Sequence, residues 1–302
     1  MKENNYPKVS IIILNWNGLE DTIECLESLK KITYPNYEVI VVDNGSKGND
    51  TDVLEQKYKD YIRLIRNKEN LGFAGGINIG IKYAFKKKAD YILNLNNDII
   101  VEKNFLEPLV EDMLKDERIG ITGPANYCYY EPQKLFSSGR KINWWKGGTI
   151  ELDLRQGPKE VDCLAGCCLL IKKEVINKIG YFYKPYFLDF EETDYCVKAK
   201  DSGFKILCEP KSKVWHKIRA TLDKIPAAHC YYFYRNKLLF MRRNAPFYFK
   251  YPFYIYFSLY LIFRYLENLA NKNNLMAFSI KNALIDFWQG NFGKRNLIKE
   301  YE

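Results

Sequence analysis

The first 110 residues alternate short apolar runs with helix-like patterns, and this alternation restricts the possible folds more than any other feature of the chain. Apolar runs predict strands at residues 9–14, 37–42, 61–65 and 90–95. The segments between them predict helices at residues 19–30, 52–58 and 77–87. Strands that are apolar along their whole length are typical of a parallel sheet that helices cover on both faces. The sequence therefore predicts an α/β fold with a mostly parallel sheet.

Polar residues follow three of these strands at the point where each strand ends. Asn15-Trp16-Asn17-Gly18 follows the first, Asp43-Asn44-Gly45-Ser46 the second, and Asn96-Asn97-Asp98 the fourth. Ligands of such sheets bind at the carboxyl ends of the strands, so we expect the three segments to meet in one crevice. Asn, Asp, Gly and Ser are also good turn formers, and any single segment is explained equally well as a turn. Three of them at equivalent strand ends favour a binding site.

The segment ENLGFAGGINIGI at residues 69–81 is rich in glycine and follows the third strand. A glycine-rich loop that runs into a helix lets the backbone approach a ligand and directs free N–H groups at an anion such as a pyrophosphate. Asn70, Gly72 and Gly75 are the candidate contacts in this segment. The segment is not GxGxxG, and the chain has no GxxxxGK[ST] motif, which argues against an NAD-binding site and against a P-loop.

Composition indicates a globular protein with a substantial core. The chain has 302 residues, of which 47% are hydrophobic and 27% charged. Its first residues, MKENNYPKVS, lack the apolar segment of a signal peptide, and no run reaches the roughly 18 uncharged residues of a membrane span, so we expect a cytoplasmic protein. The eight cysteines are irregularly spaced, and most are interpreted as small core residues in a reduced compartment. The cluster at residues 163–168 is a weak metal signal.

Charge is unevenly distributed along the chain. Residues 1–204 hold 29 Lys and Arg against 31 Asp and Glu, whereas residues 205–302 hold 17 against 6. The basic part is also crowded with aromatic residues between 231 and 265. Such a region binds either nucleic acid or an anionic membrane surface.

Residues 251–263 carry no formal charge, and a run of thirteen is too short to span a bilayer. Basic residues flank the run on both sides, namely Arg242, Arg243, Lys250 and Arg264. Tyrosine rings within it suit the headgroup level of a membrane. The pattern favours a helix at the membrane surface, which predicts peripheral attachment to the inner face of the cell membrane. Packing against the rest of the chain, or against a second copy, remains the alternative.

Taken together, several motifs carry a family resemblance that covers roughly residues 8–245. VSIIILNWNG, YPNYEVIVVDNGS, NLGFAGGINIGI, LNLNND, CLAGCCLLIKKEVINKIGYF and PYFLDFEETDYCVKAKDSGFKI with VWHK resemble family 2 inverting glycosyltransferases of the glycosyltransferase-A fold. Their order and spacing match the rhamnosyltransferase-like branch. The resemblance implies a catalytic domain at 1–220, with a nucleotide-sugar-binding half at 1–110 and an acceptor half at 111–220. It leaves residues 221–302 as a basic, aromatic, helical extension.

The resemblance also implies an activity, a donor site and a metal site. Family members transfer a sugar from a nucleotide-diphosphate sugar to a hydroxyl acceptor with inversion. Asp43 would contact the base or ribose, and Asp98, the last carboxylate of a DxD-type signature, would ligate Mg²⁺ or Mn²⁺ on the diphosphate. This chain has Asn96 where the signature has its first Asp, and His216 is a further candidate ligand. The remaining candidate contacts to the nucleotide are Asn15, Asn17, Asn44 and Asn97.

The segment FLDFEETDYC at residues 187–196 resembles the part of the family that supplies the general base. The usual Glu-Asp pair is Glu191-Glu192 here, and Glu192 is the first candidate, Glu191 the second and Asp194 the third. An alternative without catalysis is a capping box, in which Asp189 caps a helix and Glu192 stands three residues on.

Five further residues and two rival functions complete the predictions. Trp144 or Trp145 would stack on a sugar or pack within its own loop, His229 is interpreted as structural, and Arg235 with Asn236 resembles a family element of unassigned role. A sugar nucleotidyltransferase lacks support because its early glycine-rich signature with Arg and Lys is absent. A nucleic-acid-binding module would leave the acidic segments unexplained, so we expect no nucleic-acid partner.

The resemblance leaves the donor and the acceptor open. Rhamnose on dTDP is the donor that the branch favours, while UDP-linked glucose, galactose or N-acetyl sugars are also compatible. A lipid-linked saccharide in cell-surface polysaccharide or glycoconjugate assembly is a compatible hydroxyl acceptor.

Overall fold

The computed structural model describes residues 6–218 and 225–295. Two predictions fall outside this part of the chain. One is the domain boundary at residue 220, and the other concerns the first five residues, which were predicted to lack a signal peptide. The described strands are β1 (Val9–Asn15), β2 (Tyr37–Asp43), β3 (Ile62–Arg66), β4 (Tyr91–Asn96), β5 (Ile99–Val101), β6 (Ile119–Cys128), β7 (Leu135–Ser137), β8 (Arg140–Asn143), β9 (Gly148–Glu151), β10 (Lys159–Glu160), β11 (Cys168–Lys172) and β12 (Lys205–His216).

Helices follow or connect most of these strands. Those of the first 218 residues are α1 (Leu19–Leu29), α2 (Asp50–Tyr58), α3 (Gly72–Lys86), α4 (Leu106–Lys115), α5 (Lys173–Ile179) and α6 (Glu191–Asp201), with a 3₁₀ turn at Lys184–Tyr186. The C-terminal helices are α7 (Pro226–Asn244), α8 (Phe247–Ala270) and α9 (Asn274–Gln289). The strands and helices predicted in the first 110 residues are all present, with ends shifted by a few residues.

One sheet organises the fold. Its strands run in the order β10-β12-β6-β11-β4-β1-β2-β3, with β5 paired to β12 and β7 to β6. Strands β4, β1, β2 and β3 are mutually parallel, as are β6 and β12, while β11 is antiparallel to both of its neighbours. The carboxyl ends of β1, β2 and β4 consequently meet at one edge, as the sequence predicted.

Two separate hydrophobic cores cover the faces of the sheet. On one face, side chains of β1 and β2 such as Ile11 and Val41 pack with Leu26 of α1 and Leu109 of α4. On the other face, Ile12 packs with residues of α3, α5 and α6. Successive residues of β1 thus point into opposite cores, because side chains alternate across a strand. The predicted mostly parallel α/β fold is confirmed.

The C-terminal helices form a third core, which also includes residues of the sheet domain. Leu239 of α7, Phe257 of α8 and Ile280 of α9 are buried together, and Tyr186 and Phe190 of the segment before α6 pack in the same cluster. The predicted helical, aromatic-rich extension is therefore present. Among residues 6–218 and 225–295, no helix combines the length and the apolar character that a bilayer crossing requires.

The cysteines behave as core residues. All eight are free, and Cys163, Cys167 and Cys168 are buried in the cores on either side of the sheet. Within the described ranges, no group of three or more His, Cys, Asp or Glu side chains forms a metal cluster. The weak metal signal at residues 163–168 thus finds no support.

Candidate active site

A cavity of about 1050 Å³ opens at the carboxyl edge of the sheet. The strand-end segments, the segment that leads into α6 and the C-terminal extension supply most of its wall, and Arg140 of β8 adds to it. Its polar and charged lining residues include Asp43, Asn44, Asn70, Asn96, Asn97, Asp98, Arg140, Asp189, Glu191, Glu192, His216, His229, Lys294 and Arg295. The crevice predicted from three strand ends therefore exists and is closed by residues from much later in the chain.

Asp43 lies at the end of β2 in a network of hydrogen bonds. Its Oδ1 accepts from Asn15 Nδ2 at 2.8 Å and from Ser46 Oγ at 2.6 Å, and the Ser46 amide donates to Oδ2. The carboxylate is only 3% exposed, yet it forms part of the cavity wall. Asp43 is consequently held in one orientation before any ligand arrives.

Asn15 and Asn17 were predicted to contact the nucleotide, and the structure corrects both. Asn15 is fully buried, its Nδ2 bonds Asp43 and Asp50, and its Oδ1 accepts from Thr22. Asn17 lies outside the cavity in a left-handed turn, where its Oδ1 accepts from the Lys47 amide. Asn15 thus orients Asp43 from behind, and Asn17 forms the turn that follows β1.

The glycine-rich segment forms a helix start rather than a loop. Helix α3 begins at Gly72, whose φ of +74° requires glycine and whose added Cβ would lie 2.4 Å from the Phe187 carbonyl oxygen. Gly75 lies inside the helix and away from the cavity. Two amides at this helix start are already bonded, because Gly72 N–H donates to Asn70 Oδ1 and Phe73 N–H to the Phe187 carbonyl. The predicted pyrophosphate-binding helix start is therefore partly occupied by the protein itself.

Asn44 and Asn70 connect this helix start to the second strand. Asn44 Nδ2 donates to Asn70 Oδ1 at 3.0 Å and to the Gly72 carbonyl at 3.2 Å. Asn44 Oδ1 accepts from Asn67 Nδ2 and from the Leu71 amide. Both asparagines line the cavity, as predicted, but most of their hydrogen-bonding capacity shapes its wall.

Asp98 and His216 lie together at one side of the cavity. His216 Nε2 is 3.2 Å from Asp98 Oδ1, and both side chains are largely buried. Within the described structure, His216 Nδ1 has no hydrogen-bond partner, and Asp98 Oδ1 has only its ion-pair contact with His216. Burial acts to lower the pKa of His216, but the neighbouring Cys167 and Asp98 raise it to about 10. A buried polar atom without a partner costs free energy, and a ligand bound to this pair would remove that cost.

The chemistry of this pair fits a divalent cation. A carboxylate and a neutral imidazole suit Mn²⁺ or a similar ion, which would take the place of the proton on His216, and Asn96, which also lines the cavity, adds an amide oxygen. So few protein ligands leave coordination positions for phosphate oxygens and water. Asn97 lies beside the pair, but its Nδ2 donates to the Gly18 carbonyl and to Thr22 Oγ1. Its amide group therefore anchors α1, and only its Oδ1 remains for a ligand.

Glu191 and Glu192 begin α6 and both line the cavity. Burial raises the pKa of Glu191 well above its ordinary value, with the charges of Glu192 and Asp189 adding to the shift. Burial also raises the pKa of Glu192, opposed by Arg140, whose Nη1 lies 3.5 Å from Oε1. Glu191 Oε2 has no hydrogen-bond partner among the described residues. Two neighbouring carboxyl groups with raised pKa values in a cavity are candidates for a functional role.

Asp194, the third candidate base, lies outside the cavity, and that prediction is wrong. Its carboxylate is 1% exposed and accepts hydrogen bonds from Tyr186, Arg243 and Asn244. Burial would raise its pKa, but Arg243 and Asn244 lower it below the ordinary value. Asp194 therefore joins α6 to α7 and has no access to a substrate.

The capping-box alternative is also wrong. The residue before α6 is Phe190, in the left-handed region with φ +73°, and no side chain caps the helix. Asp189 points into the cavity instead, where its Oδ2 lies 3.2 Å from His229 Nε2. His229, interpreted from the sequence as structural, is accordingly a cavity residue.

Arg235 and Asn236 of α7 hold the segment that carries these acids. Asn236 Nδ2 donates to the carbonyls of Tyr186 and Leu188, and Arg235 donates to those of Pro185 and Tyr186. Both residues are fully buried. The backbone between 187 and 190 has three residues at positive φ, so these bonds stabilise a conformation that it would otherwise avoid.

Sequence reasoning missed several cavity residues. These are Arg140 of β8, and Tyr232, Lys294 and Arg295 of the extension. Their sequence context contains no motif, and only the three-dimensional fold brings them to the cavity. The two tryptophans lie elsewhere: Trp144 stacks on Phe240 at 5.7 Å, and Trp145 packs edge-on against Phe249. Neither tryptophan lines the cavity, and both have aromatic packing partners, although Trp145 is largely exposed.

The fold is shared with solved glycosyltransferases. A crystal structure of GalNAc-T7 with UDP, GalNAc and Mn²⁺ aligns over 71% of this chain and 44% of its own, with a TM-score of 0.59 and 19% identity. The mannosyltransferase PcManGT from Pyrobaculum calidifontis, solved with GDP-Man and Mn²⁺, aligns over 94% of this chain and 88% of its own, with a TM-score of 0.58 and 13% identity.

Several proteins of similar sequence are named as glycosyltransferases. The low-salt glycan biosynthesis hexosyltransferase Agl10 of Haloferax volcanii is 27% identical over 66% of this chain and 63% of its own length. The dTDP-rhamnosyl transferase RfbF of Shigella flexneri is 26% identical over 77% of this chain and 79% of its own. An uncharacterized glycosyltransferase of Rickettsia typhi is 34% identical over 60% of this chain and 56% of its own, so the match spans less than two thirds of some of these relatives.

The sequence model of glycosyl transferase family 2 matches residues 10–180. That region contains the strand-end segments, the glycine-rich helix start and Asp98. Because the match covers more than half of the chain, the chain belongs to glycosyl transferase family 2.

Proposed function

We propose that this protein transfers a sugar from a nucleotide-diphosphate sugar to a hydroxyl acceptor, with inversion at the anomeric carbon and with a divalent cation. The observation that carries the proposal is one cavity lined both by Asp98 with His216 and by Glu191 with Glu192. The first pair suits a diphosphate-bound cation and the second a proton transfer, which are the two chemical requirements of such a reaction.

The donor would bind along the strand ends. Asp43 presents a preoriented carboxylate to a ribose or base, and the basic side chains of Lys47, Arg66 and Lys68 also line the cavity. These cations attract a diphosphate. The name of the Shigella relative makes rhamnose on dTDP the first donor to test, while the nucleotides in the two solved structures keep UDP- and GDP-linked sugars in the panel.

Asp98 and His216, with Asn96, would hold the cation, whose charge would offset that of the departing nucleoside diphosphate. Glu192 would take the proton from the attacking hydroxyl. Its raised pKa strengthens it as a base, and the nearby Arg140 keeps part of its population ionised. Glu191 lies beside it and is the alternative base. The acceptor that fits the wider proposal is a lipid-linked saccharide in cell-surface polysaccharide or glycoconjugate assembly.

A direct test is release of nucleoside diphosphate from a panel of sugar nucleotides with Mn²⁺ present. We expect release from one donor, accelerated by a hydroxyl acceptor. A sugar nucleotidyltransferase would instead form sugar nucleotide from a nucleoside triphosphate and a sugar phosphate. Formation of that product without diphosphate release would contradict the proposal.

Asp98→Ala tests the metal assignment. Loss of a charged ligand to the cation should reduce transfer on the order of 10⁴-fold or more, since a bound cation contributes several kcal/mol to such a step. The thermal unfolding midpoint should stay near that of the wild type. Asp201→Ala, an exposed carboxylate at the far end of α6, is the matched control and should retain full activity. Full activity of Asp98→Ala, or of wild type after exhaustive chelation, would overturn the assignment.

A further inference from the structure

Helix α8 exposes a long apolar stripe on the face opposite its packed side. Phe253, Phe257 and Leu261 point into the third core. The outward face carries large apolar side chains at spacings of three and four residues, and these are Tyr248, Tyr251, Ile255, Leu259, Ile262, Leu266 and Leu269. Tyr251, Ile255 and Leu259 are 72%, 66% and 62% exposed. A stripe from 248 to 269 extends about 32 Å along a helix that rises ~1.5 Å per residue.

The stripe is widened at one end by neighbouring aromatic residues. Phe247 is 76% exposed at the start of α8, and Trp145, from the turn between β8 and β9, is 68% exposed and packs against Phe249. Contiguous exposed apolar surface of this kind marks an interaction site on a soluble domain. Tryptophan and tyrosine rings are typical of surfaces that sit at the headgroup level of a bilayer.

Charge around the stripe is mostly positive, because Glu267, the one acidic residue of α8, is paired with Arg264 at 2.6 Å. From Ile225 to Leu266 the chain contains no Asp or Glu. Lys146 and Lys250 stand near the end that carries Trp145, and the exposed Lys272 follows the other end of α8. Because Glu267 is already paired within its own helix, a second copy of the chain would bring these lysines against each other in either helix direction. Anionic lipid headgroups, in contrast, complement both ends at once.

We propose that the outward face of α8, together with Trp145, binds the surface of an anionic lipid bilayer, with the helix lying in the plane of the membrane. The apolar side chains enter the boundary between headgroups and acyl chains, and the lysines contact the phosphates. This proposal does not depend on the proposed catalytic activity, because it rests on a surface made mostly by the extension.

Vesicle flotation without any sugar substrate tests the proposal. Wild-type protein should float with vesicles of phosphatidylglycerol and phosphatidylcholine, bind far less to phosphatidylcholine alone, and lose part of its binding in high salt. The double variant Ile255→Glu/Leu259→Glu places two charges on the stripe and should lower the bound-to-free ratio at least about tenfold. Leu114→Glu, at a 60% exposed position of α4, is the matched control and should bind as wild type does.

Two outcomes would overturn the proposal. One is wild-type protein that stays in solution with anionic vesicles at low salt, or a double variant that floats as well as wild type. The other is a wild-type dimer by analytical ultracentrifugation that the double variant converts to a monomer, with no vesicle binding by either form. The second result would assign the stripe to a second copy of the chain. Circular dichroism of both variants checks that the substitutions leave the fold intact.

Discussion

Two acidic residues of helix α6, Glu192 and Asp194, lie only two positions apart, and their pKa values shift in opposite directions. Glu192 faces the cavity, where burial raises the pKa of its carboxyl group. Asp194 faces the C-terminal extension, where Arg243 and Asn244 outweigh burial and lower the pKa of its carboxylate. Both belong to the same acidic segment, and both were candidates for the same catalytic role.

Hydrogen-bonding and charged partners, rather than burial, distinguish the roles of the two carboxyl groups. Each carboxyl group is largely removed from water, which by itself favours the neutral form. Asp194 gains a guanidinium and an amide that satisfy its charge, so it stabilises the fold. Glu192 has Arg140 at 3.5 Å, beyond hydrogen-bonding distance, so it keeps the capacity to accept a proton.

The largest expected effect is on catalysis. If Glu192 is the base, Glu192→Gln should lower turnover about 10² to 10⁴-fold, because a positioned base contributes that much to proton transfer. Donor affinity, measured by titration with the sugar nucleotide, should change little. The variant should also be no less stable at neutral pH, since it removes a buried carboxylate whose pKa is raised on folding. Glu191→Gln is the comparison variant, and a larger loss there would transfer the role to Glu191.

The next effect is on stability. Asp194→Asn removes a buried charge whose partners remain, and the free energy of unfolding at neutral pH should fall by roughly 3 kcal/mol. Turnover per folded molecule should be close to that of the wild type. Denaturation with urea and a donor assay at low temperature measure the two quantities. Stable protein without turnover would contradict the separation of the two carboxylates.

The same variant has a predictable pH dependence. Asp194 has a lowered pKa in the folded protein, so its stabilising contribution is fully present above the pKa of an unfolded Asp and is lost as pH falls through the folded value. The difference in stability between wild type and Asp194→Asn should therefore shrink as the solution becomes more acidic. Asp201→Asn, at an exposed position, should show no such trend.

The smallest effect concerns Arg140. Its charge lowers the pKa of Glu192, so Arg140→Gln should raise that pKa and move the rising limb of the pH–rate profile to higher pH. The base works when ionised, and the variant should therefore lose activity most at the acidic end and approach wild type at the alkaline end. Lys141→Gln, at the exposed neighbouring position, is the control. An unchanged profile would indicate that Arg140 serves only its pairing with Glu151.

Local patterns predicted the strand-end half of the site well. The residues Asp43, Asn44, Asn96, Asn97 and Asp98 all line the cavity, because a parallel sheet brings the carboxyl ends of its strands to one edge. The sequence pattern could not distinguish residues that line the cavity from residues that only orient them. Asn15 and Asp43 are both polar residues at strand ends, and only their hydrogen bonds show that Asn15 lies behind Asp43.

The glycine-rich segment shows the same limit. Its glycines were predicted to open a loop for an anion, but Gly80 faces β1, where an added Cβ would lie 2.5 Å from Ile12, and Gly72 meets the carbonyl of Phe187. A sequence shows that small residues are present without showing what approaches them. Here the close neighbours are parts of the protein.

By itself, the sequence determined the α/β class, the edge of the sheet where the site lies, and the acidic and amide residues that line it, because strand and helix periodicity are local properties of the chain. The tertiary structure alone decided which acids of α6 face the cavity, and that α7 holds the segment before that helix. It also decided that His229, Tyr232, Lys294 and Arg295 reach a site begun by residues about 200 positions earlier. Such contacts depend on how helices pack over long sequence separations, and packing is set by the shapes of both partners at once.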